Sequence, residues 1–185
     1  MSFLLFYSLV LYNFYYLGRI YPGVSVINIK AGGMKPSQLA HILAQKIKTP
    51  NKIDLTHLDQ RYEIDLEKVG FSYNFAETAD AAYDLDRTGN LLFDLYQRTQ
   101  APFRKVSLGL RISIDEEKLL ESIDLIASQI AAEPVYPSLK LENKNIIVNQ
   151  GEKGIELNSP TLRIEIGQNL VFAKQSPIYL PLKTI

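Results

Sequence analysis

The sequence has no cysteine and no tryptophan, and only two histidines and two methionines. Without cysteine there is no disulfide, no thiolate zinc site and no thiol nucleophile. That absence does not place the protein, because many bacterial surface proteins do without cysteine. The two histidines, His41 and His57, each stand alone in their segments. A metal site would need carboxylates gathered from elsewhere, so a structural or surface role is the stronger reading for both. Neither sign of charge dominates, with 20 Lys and Arg against 20 Asp and Glu. No field draws in a polyanion, and no nucleic-acid partner is expected. The patterns G-x-x-x-x-G-K-[ST], G-x-G-x-x-G and G-x-S-x-G are all absent. Gly32-Gly33 therefore reads as a tight strand-to-helix turn, and nothing calls for a cofactor or a metal. Ser107 and Ser113 lie in a strand pattern, pointing outward. An enzyme would have to bring His41 or His57 beside carboxylates in a cleft.

Charge is also missing from one long stretch. Residues 2–18, SFLLFYSLVLYNFYYLG, hold no charged side chain, and the first charge is Arg19. About 20 apolar residues span a bilayer, with ~17 as the lower limit. Tyr12, Tyr15 and Tyr16 suit an interfacial belt. No Lys or Arg precedes the run and no A-x-A site follows it, so a cleaved signal peptide fits less well. The competing reading is a buried N-terminal helix or strand. Residues 1–18 are expected to be a membrane anchor or uncleaved signal segment, with the natural start upstream or the chain a fragment. Arg19 and Lys30 are too few to set an orientation by charge.

The rest is ordinary globular sequence, with 46% apolar and 22% charged residues overall. Its length suits one domain, 19–185, or two small ones sharing a core. Val24 to Ile29 alternate as a strand. Ser37 caps a helix carrying Leu39, Ile42, Leu43 and Ile47, which ends at Pro50. IDLTHL (53–58) and RYEIDL (61–66) form a hairpin. A glycine turn at Gly70 leads to a helix at about 76–86 and another at about 90–99. The order then recurs. KVSLGLRISI (105–114) is a strand. Asp115 caps a helix whose first turn holds Glu116 and Glu117, and whose stripe is Leu119, Leu120, Ile123, Ile126, Ala127 and Ile130. SLKLE (138–142) and NIIVN (145–149) form a second hairpin, and a helix spans about 159–169. IYLPL (178–182) closes as an edge strand, because Pro181 cannot donate to a ladder. Gly70–Asn74 and Gly154–Asn158 share the order Gly, apolar, polar, apolar, Asn, with each Asn placed to cap a helix. The expected fold is α+β: a duplicated strand-helix-hairpin-helix unit (19–100 and 104–183) with mixed and antiparallel sheets.

Few side chains suggest a ligand. Asp80, Asp84 and Asp86 make an acidic helix edge that could take a cation or amines, though a solvated face explains them better. Tyr62, Tyr73, Tyr83 and Tyr96 could stack on sugar rings, against the plainer reading of core aromatics with one wet edge. The Asp86-Arg87-Thr88-Gly89 corner reads either as a ligand loop or as a helix stop. In the second reading Gly89 is the left-handed residue, Arg87 favours the helix C-terminus and Asp86 partners Arg87.

The order of motifs resembles the peptidoglycan-binding domain (YoaR-like) of VanW-type, vancomycin-resistance-associated proteins, which also precedes the catalytic domain of some L,D-transpeptidases. Ile20, Pro22, Gly23, Val24, Val26, Ile29, Gly32, Gly33 and Met34 fit its opening motif. Asn28 replaces an inner glycine of that motif, Ala31 a β-branched residue and Lys35 a threonine. Ala82, Arg87 and Gly89 fit the A-x-x-x-G-R-x-G helix ending, with Asp86 in place of its first glycine. Residues 106–119 and 151–158 are similar to its second half. The resemblance covers about residues 19–183 and implies a non-catalytic, extracytoplasmic module that binds peptidoglycan and positions an attached or partner enzyme. A VanW or transpeptidase domain would follow it. The transpeptidase nucleophile is a cysteine, which this chain lacks. The expected setting is the cell membrane, single-pass, with the domain facing the wall. Tyr83, Arg87 and Asn90 are the candidate ligand contacts, and no metal ligands are assigned. The alternative is a structural spacer or protein-interaction domain of an envelope complex without glycan binding.

Overall fold

The alternation of short apolar and polar runs resolves into many brief strands rather than a few long ones. The structure is a computed structural model and describes residues 2–87, 89, 94, 96–97, 100–101, 103–142 and 145–185. Its helices are α1 (Ser2–Tyr15), α2 (Pro36–Lys46), α3 (Phe75–Asp84), α4 (Glu116–Ile130) and α5 (Ser159–Val171). The strands are β1 (Val24–Val26), β2 (Ile29–Lys30), β3 (Lys52–His57), β4 (Gln60–Asp65), β5 (Ser72–Asn74) and β6 (Val106–Leu108). They continue with β7 (Arg111–Ser113), β8 (Ser138–Glu142), β9 (Asn145–Asn149), β10 (Ile155–Leu157), β11 (Ile178–Tyr179) and β12 (Leu182–Thr184). This is the expected α+β fold with mixed and antiparallel sheets. The helix expected at about 90–99 lies mostly outside the described residues.

Two compact units take segments from both halves of the chain. Unit 1 comprises Met1–Thr49, Ser72–Ser113 and Leu170–Lys174; unit 2 comprises Pro50–Phe71, Ile114–Asn169 and Gln175–Ile185.

In unit 1, β1 sits between antiparallel β2 and parallel β6, with Val24 opposite Val106 and Val26 opposite Leu108. Helices α2 and α3 pack on each other. Leu39 and Leu43, four residues apart on α2, are fully buried beside Ile20, Val26, Ala79 and Ala82. Each such leucine contributes about 1.5–3 kcal/mol by leaving water. Helix α2 starts two residues earlier than the Ser37 cap implies. Pro36 takes the first helical position and the Lys35 N–H donates to Gln38 Oε1 at 3.0 Å, so Ser37 lies inside the first turn. The run 105–114 is two strands in two sheets, β6 with β1 and β7 with β5. The break falls at Gly109, where a Cβ would meet Val171 Cγ1 at 2.3 Å.

In unit 2, the β3–β4 hairpin pairs from Lys52 opposite Asp65 to His57 opposite Gln60. Parallel β11 covers the other side of β3, which leaves β4 at the sheet edge. Leu119, Ile123 and Ile126 of α4 are buried, as are Ile53, Leu55 and Ile64 of the hairpin. Leu120 departs from the expected stripe and is 41% exposed, because it lies about 100° around the helix from Leu119. The expected strand 178–182 divides at Leu180-Pro181: β11 pairs with β3, and β12 pairs antiparallel with β10. Hairpin β8–β9 forms where expected and pairs with no other strand among the described residues.

The order two short strands, helix, hairpin, short strand, helix occurs twice along the chain. The two short strands end alike. Asn74 Oδ1 accepts from the Glu77 N–H at 3.1 Å, and Asn158 Oδ1 accepts from the Thr161 N–H at 3.2 Å. Each side chain satisfies an N–H that the helix itself leaves unpaired.

Candidate functional site

The corner after α3 is built around two arginines. Helix α3 ends at Asp84, and its left-handed stop is Asp86, with φ +65°. That is the position where the VanW-type pattern has glycine, the residue that takes a left-handed backbone without strain. Gly89 also has positive φ, +87°, but lies three residues beyond the stop. Asp86 does not pair with Arg87. Its two carboxylate oxygens lie 2.7 and 2.6 Å from Nη2 of Arg104, and Arg104 Nη1 donates to Gln97 Oε1 at 2.9 Å. Asp86 is buried, so this charge-assisted contact supplies the partner that burial requires.

Arg87 turns instead toward the segment after α1. Nη2 donates to the carbonyls of Tyr16 at 3.1 Å and Arg19 at 2.7 Å, and Nη1 donates to the Tyr83 carbonyl. The guanidinium carbon lies 4.2 Å from the Tyr21 ring centre and 3.8 Å from that of Tyr83. Tyr21 in turn stacks with Tyr12 and packs on Tyr16. Arg87 thus joins α3 to the end of α1 through three carbonyls and two aromatic faces. Tyr83 and Arg87 are brought together, while Asn90 lies outside the described residues. The four tyrosines read as a sugar-stacking set divide between the units. Tyr62 is in unit 2, and Tyr73, Tyr83 and Tyr96 are in unit 1. The Tyr73 hydroxyl donates to the Leu170 carbonyl at 3.1 Å, and burial raises its pKa.

Other candidates sit on the surface. The Nε2 of His41 lies 3.0 Å from Gln45 Nε2 on α2, and His57 is half-buried at the end of β3. No three His, Asp or Glu side chains gather as a metal site among the described residues. Asp80 and Asp84 are exposed, so the acidic edge of α3 is a solvated face from which Asp86 turns inward. Asp115 caps α4 by accepting from the Lys118 N–H at 3.3 Å. That backbone bond, with the Lys118 ammonium 3.3 Å away, holds the Asp115 carboxyl below the usual aspartate range.

A concave site lies in unit 2, where the sequence had marked only Tyr62, as one of four tyrosines able to stack on sugar rings. A groove of about 400 Å³ runs between β4 and α4. It is lined by residues 61–65 and Lys68 on one wall, and by Ser122, Leu125, Ile126 and Gln129 on the other. Alternation hides such a site, because the strand reads only as half-buried.

Residues 62–178, more than half of the chain, match the model of the family described as "Putative peptidoglycan binding domain". The chain belongs to that family. The matched segment holds Tyr83, Arg87 and both walls of the groove except Arg61, whereas the opening motif at Ile20–Met34 lies ahead of it. No curated protein and no solved structure matches the chain.

Proposed function

We propose that this member of the peptidoglycan-binding family is a non-catalytic cell-wall module that holds an attached or partner enzyme against peptidoglycan. The observation that carries the reading is the family match over residues 62–178. The VanW-type opening motif at residues 20–34 favours an envelope protein of that kind. Helix α1 suits a membrane-seated position: Tyr7, Val10, Leu11, Phe14 and Tyr15 are exposed and no charge interrupts them. At 14 residues it spans about 21 Å at 1.5 Å per residue. No helix among the described residues is long and apolar enough to cross a membrane. Arg87 would then tie the base of that helix to the wall-facing domain.

Purified sacculi test the wall reading. The chain is expected to co-sediment with sacculi above an inert control protein, and equal retention of both removes the proposal. One observation favours the alternative of a protein-interaction domain. Leu139, Ile146 and Val148 are 72%, 68% and 62% exposed on the β8–β9 hairpin. In-cell crosslinking through the hairpin distinguishes the two when read with the sacculi assay: a protein captured there together with no retention above the control favours the interaction domain.

A further inference from the structure

We propose that the groove between β4 and α4 takes the peptide arm of the wall polymer, bound as an added strand on the free edge of β4. This deepens the wall-binding reading and rests on it. The first reason is the lining itself. Arg61, Tyr62, Glu63, Ile64 and Asp65 are consecutive, and all five line the groove. Successive strand side chains point to opposite faces, so five neighbours can share one groove only along the strand's edge. β4 bonds to β3 on its other side and has no further strand partner among the described residues. The outward half of its N–H and C=O groups is therefore presented to the groove.

The opposite wall is a helical stripe. Ser122, Leu125, Ile126 and Gln129 follow the spacing i, i+3, i+4, i+7 on α4. Leu125 is 66% exposed there, an apolar contact for small side chains such as alanine methyls. Five strand residues span about 16 Å, which matches a peptide of four or five extended residues. Extended peptides that add to sheet edges gain affinity from main-chain bonds and specificity from flanking pockets.

Charge selects the kind of peptide. Lys52 Nζ holds Glu63 at 2.7 Å, and Lys68 Nζ lies 3.7 Å from Asp65. Arg61 has no ion pair among the described residues, so a guanidinium remains to receive a carboxylate in a forked contact. Wall peptides are short and rich in alanine, and they carry free carboxylates. A glycan strand would instead ask for open aromatic faces. The one aromatic in the lining, Tyr62, is half-buried with its hydroxyl donating to Gln60 Oε1 at 2.6 Å.

The test titrates the full chain, by amide NMR, with wall tetrapeptide released from sacculi by an amidase, and separately with the peptide-free glycan strands. The tetrapeptide is expected to shift the amides of residues 61–65 and 122–129, and the glycan strands are expected to leave them unchanged. Arg61→Glu and Leu125→Glu, both exposed and conservative of fold, should each weaken tetrapeptide binding about tenfold. Lys48→Glu, in unit 1, should not. Peptide shifts that map elsewhere, or glycan strands that shift residues 61–65, overturn the groove assignment. Sacculi still retained by wild type in that case leave the wall reading standing. Loss of retention by wild type overturns both.

Discussion

Arg104 closes on Asp86 with both carboxylate oxygens within 2.7 Å of one guanidinium nitrogen, and Asp86 holds the left-handed backbone that stops α3. The aspartate therefore performs two tasks that oppose each other. Its charge needs a partner because it is buried, and its Cβ strains the φ +65° backbone. Asp86→Ala is expected to destabilise the chain by about 2 kcal/mol, below the roughly 3–5 kcal/mol of a fully buried pair because Arg104 is 33% exposed. Asp86→Gly should cost about 1 kcal/mol less, since glycine takes that backbone freely. Urea midpoints compare the two, and an alanine variant at least as stable as the glycine variant contradicts the strain argument.

Arg87 separates a latch from a ligand contact. Arg87→Ala removes three donated hydrogen bonds and two ring contacts, for an expected loss of about 2 kcal/mol. Arg87→Lys should recover less than half of that, because an ammonium cannot fork to separate carbonyls while stacking. As a latch, both variants keep their retention on sacculi. Unchanged melting with lost retention would make Arg87 a ligand contact.

Gly23 has no room for a side chain. It has φ +79°, and a Cβ would lie 2.0 Å from the Arg104 carbonyl oxygen and 2.5 Å from that of Ala101. Both obstacles are backbone and cannot rotate away. Gly23→Ala is expected to cost about 3 kcal/mol or more, from overpacking plus left-handed strain. A thermal melt within a degree or two of wild type would show that the contact of the 101–104 segment with Gly23 is not tight in solution.

Asp115 gives a pH dependence with a definite sign. Its folded pKa lies below the ordinary 3.8, so folding favours the ionised form. Its contribution is present above 3.8 and is lost as pH falls through the lower folded value. Asp115→Asn keeps an acceptor for the Lys118 N–H but does not titrate. The difference in urea midpoint between wild type and Asp115→Asn should therefore shrink between about pH 6 and about pH 3. A difference that stays constant across that range removes the charge from the account of this cap.

Much of the fold was legible because it depends on neighbours in the chain. The second hairpin, the caps at Asn74, Asn158 and Asp115, and the buried stripe of α4 all follow from residues a few positions apart. The misplaced boundaries share another cause. Residues 105–114 and 178–182 each read as one strand by alternation, yet each is shared between two sheets. Alternation reports which face is buried, not which strand lies alongside. The helix stop shows the same limit. Composition favours Gly89, whereas Asp86 takes the left-handed turn next to α3 and finds its charge partner in Arg104, 18 residues further on.

The sequence by itself determined the α+β composition, the absence of thiol chemistry, the uncharged N-terminal run and the kinship with peptidoglycan-binding domains. The first three follow from residue inventory and local period, and the kinship from a chain of motifs that resembles the family's. Only the tertiary structure decided that Arg87 faces Tyr21 and Tyr83, that Asp86 belongs to Arg104, and that β4 meets α4 across a groove. Each of those depends on contacts between residues distant in the chain. A pattern of period two or 3.6 carries no record of such contacts.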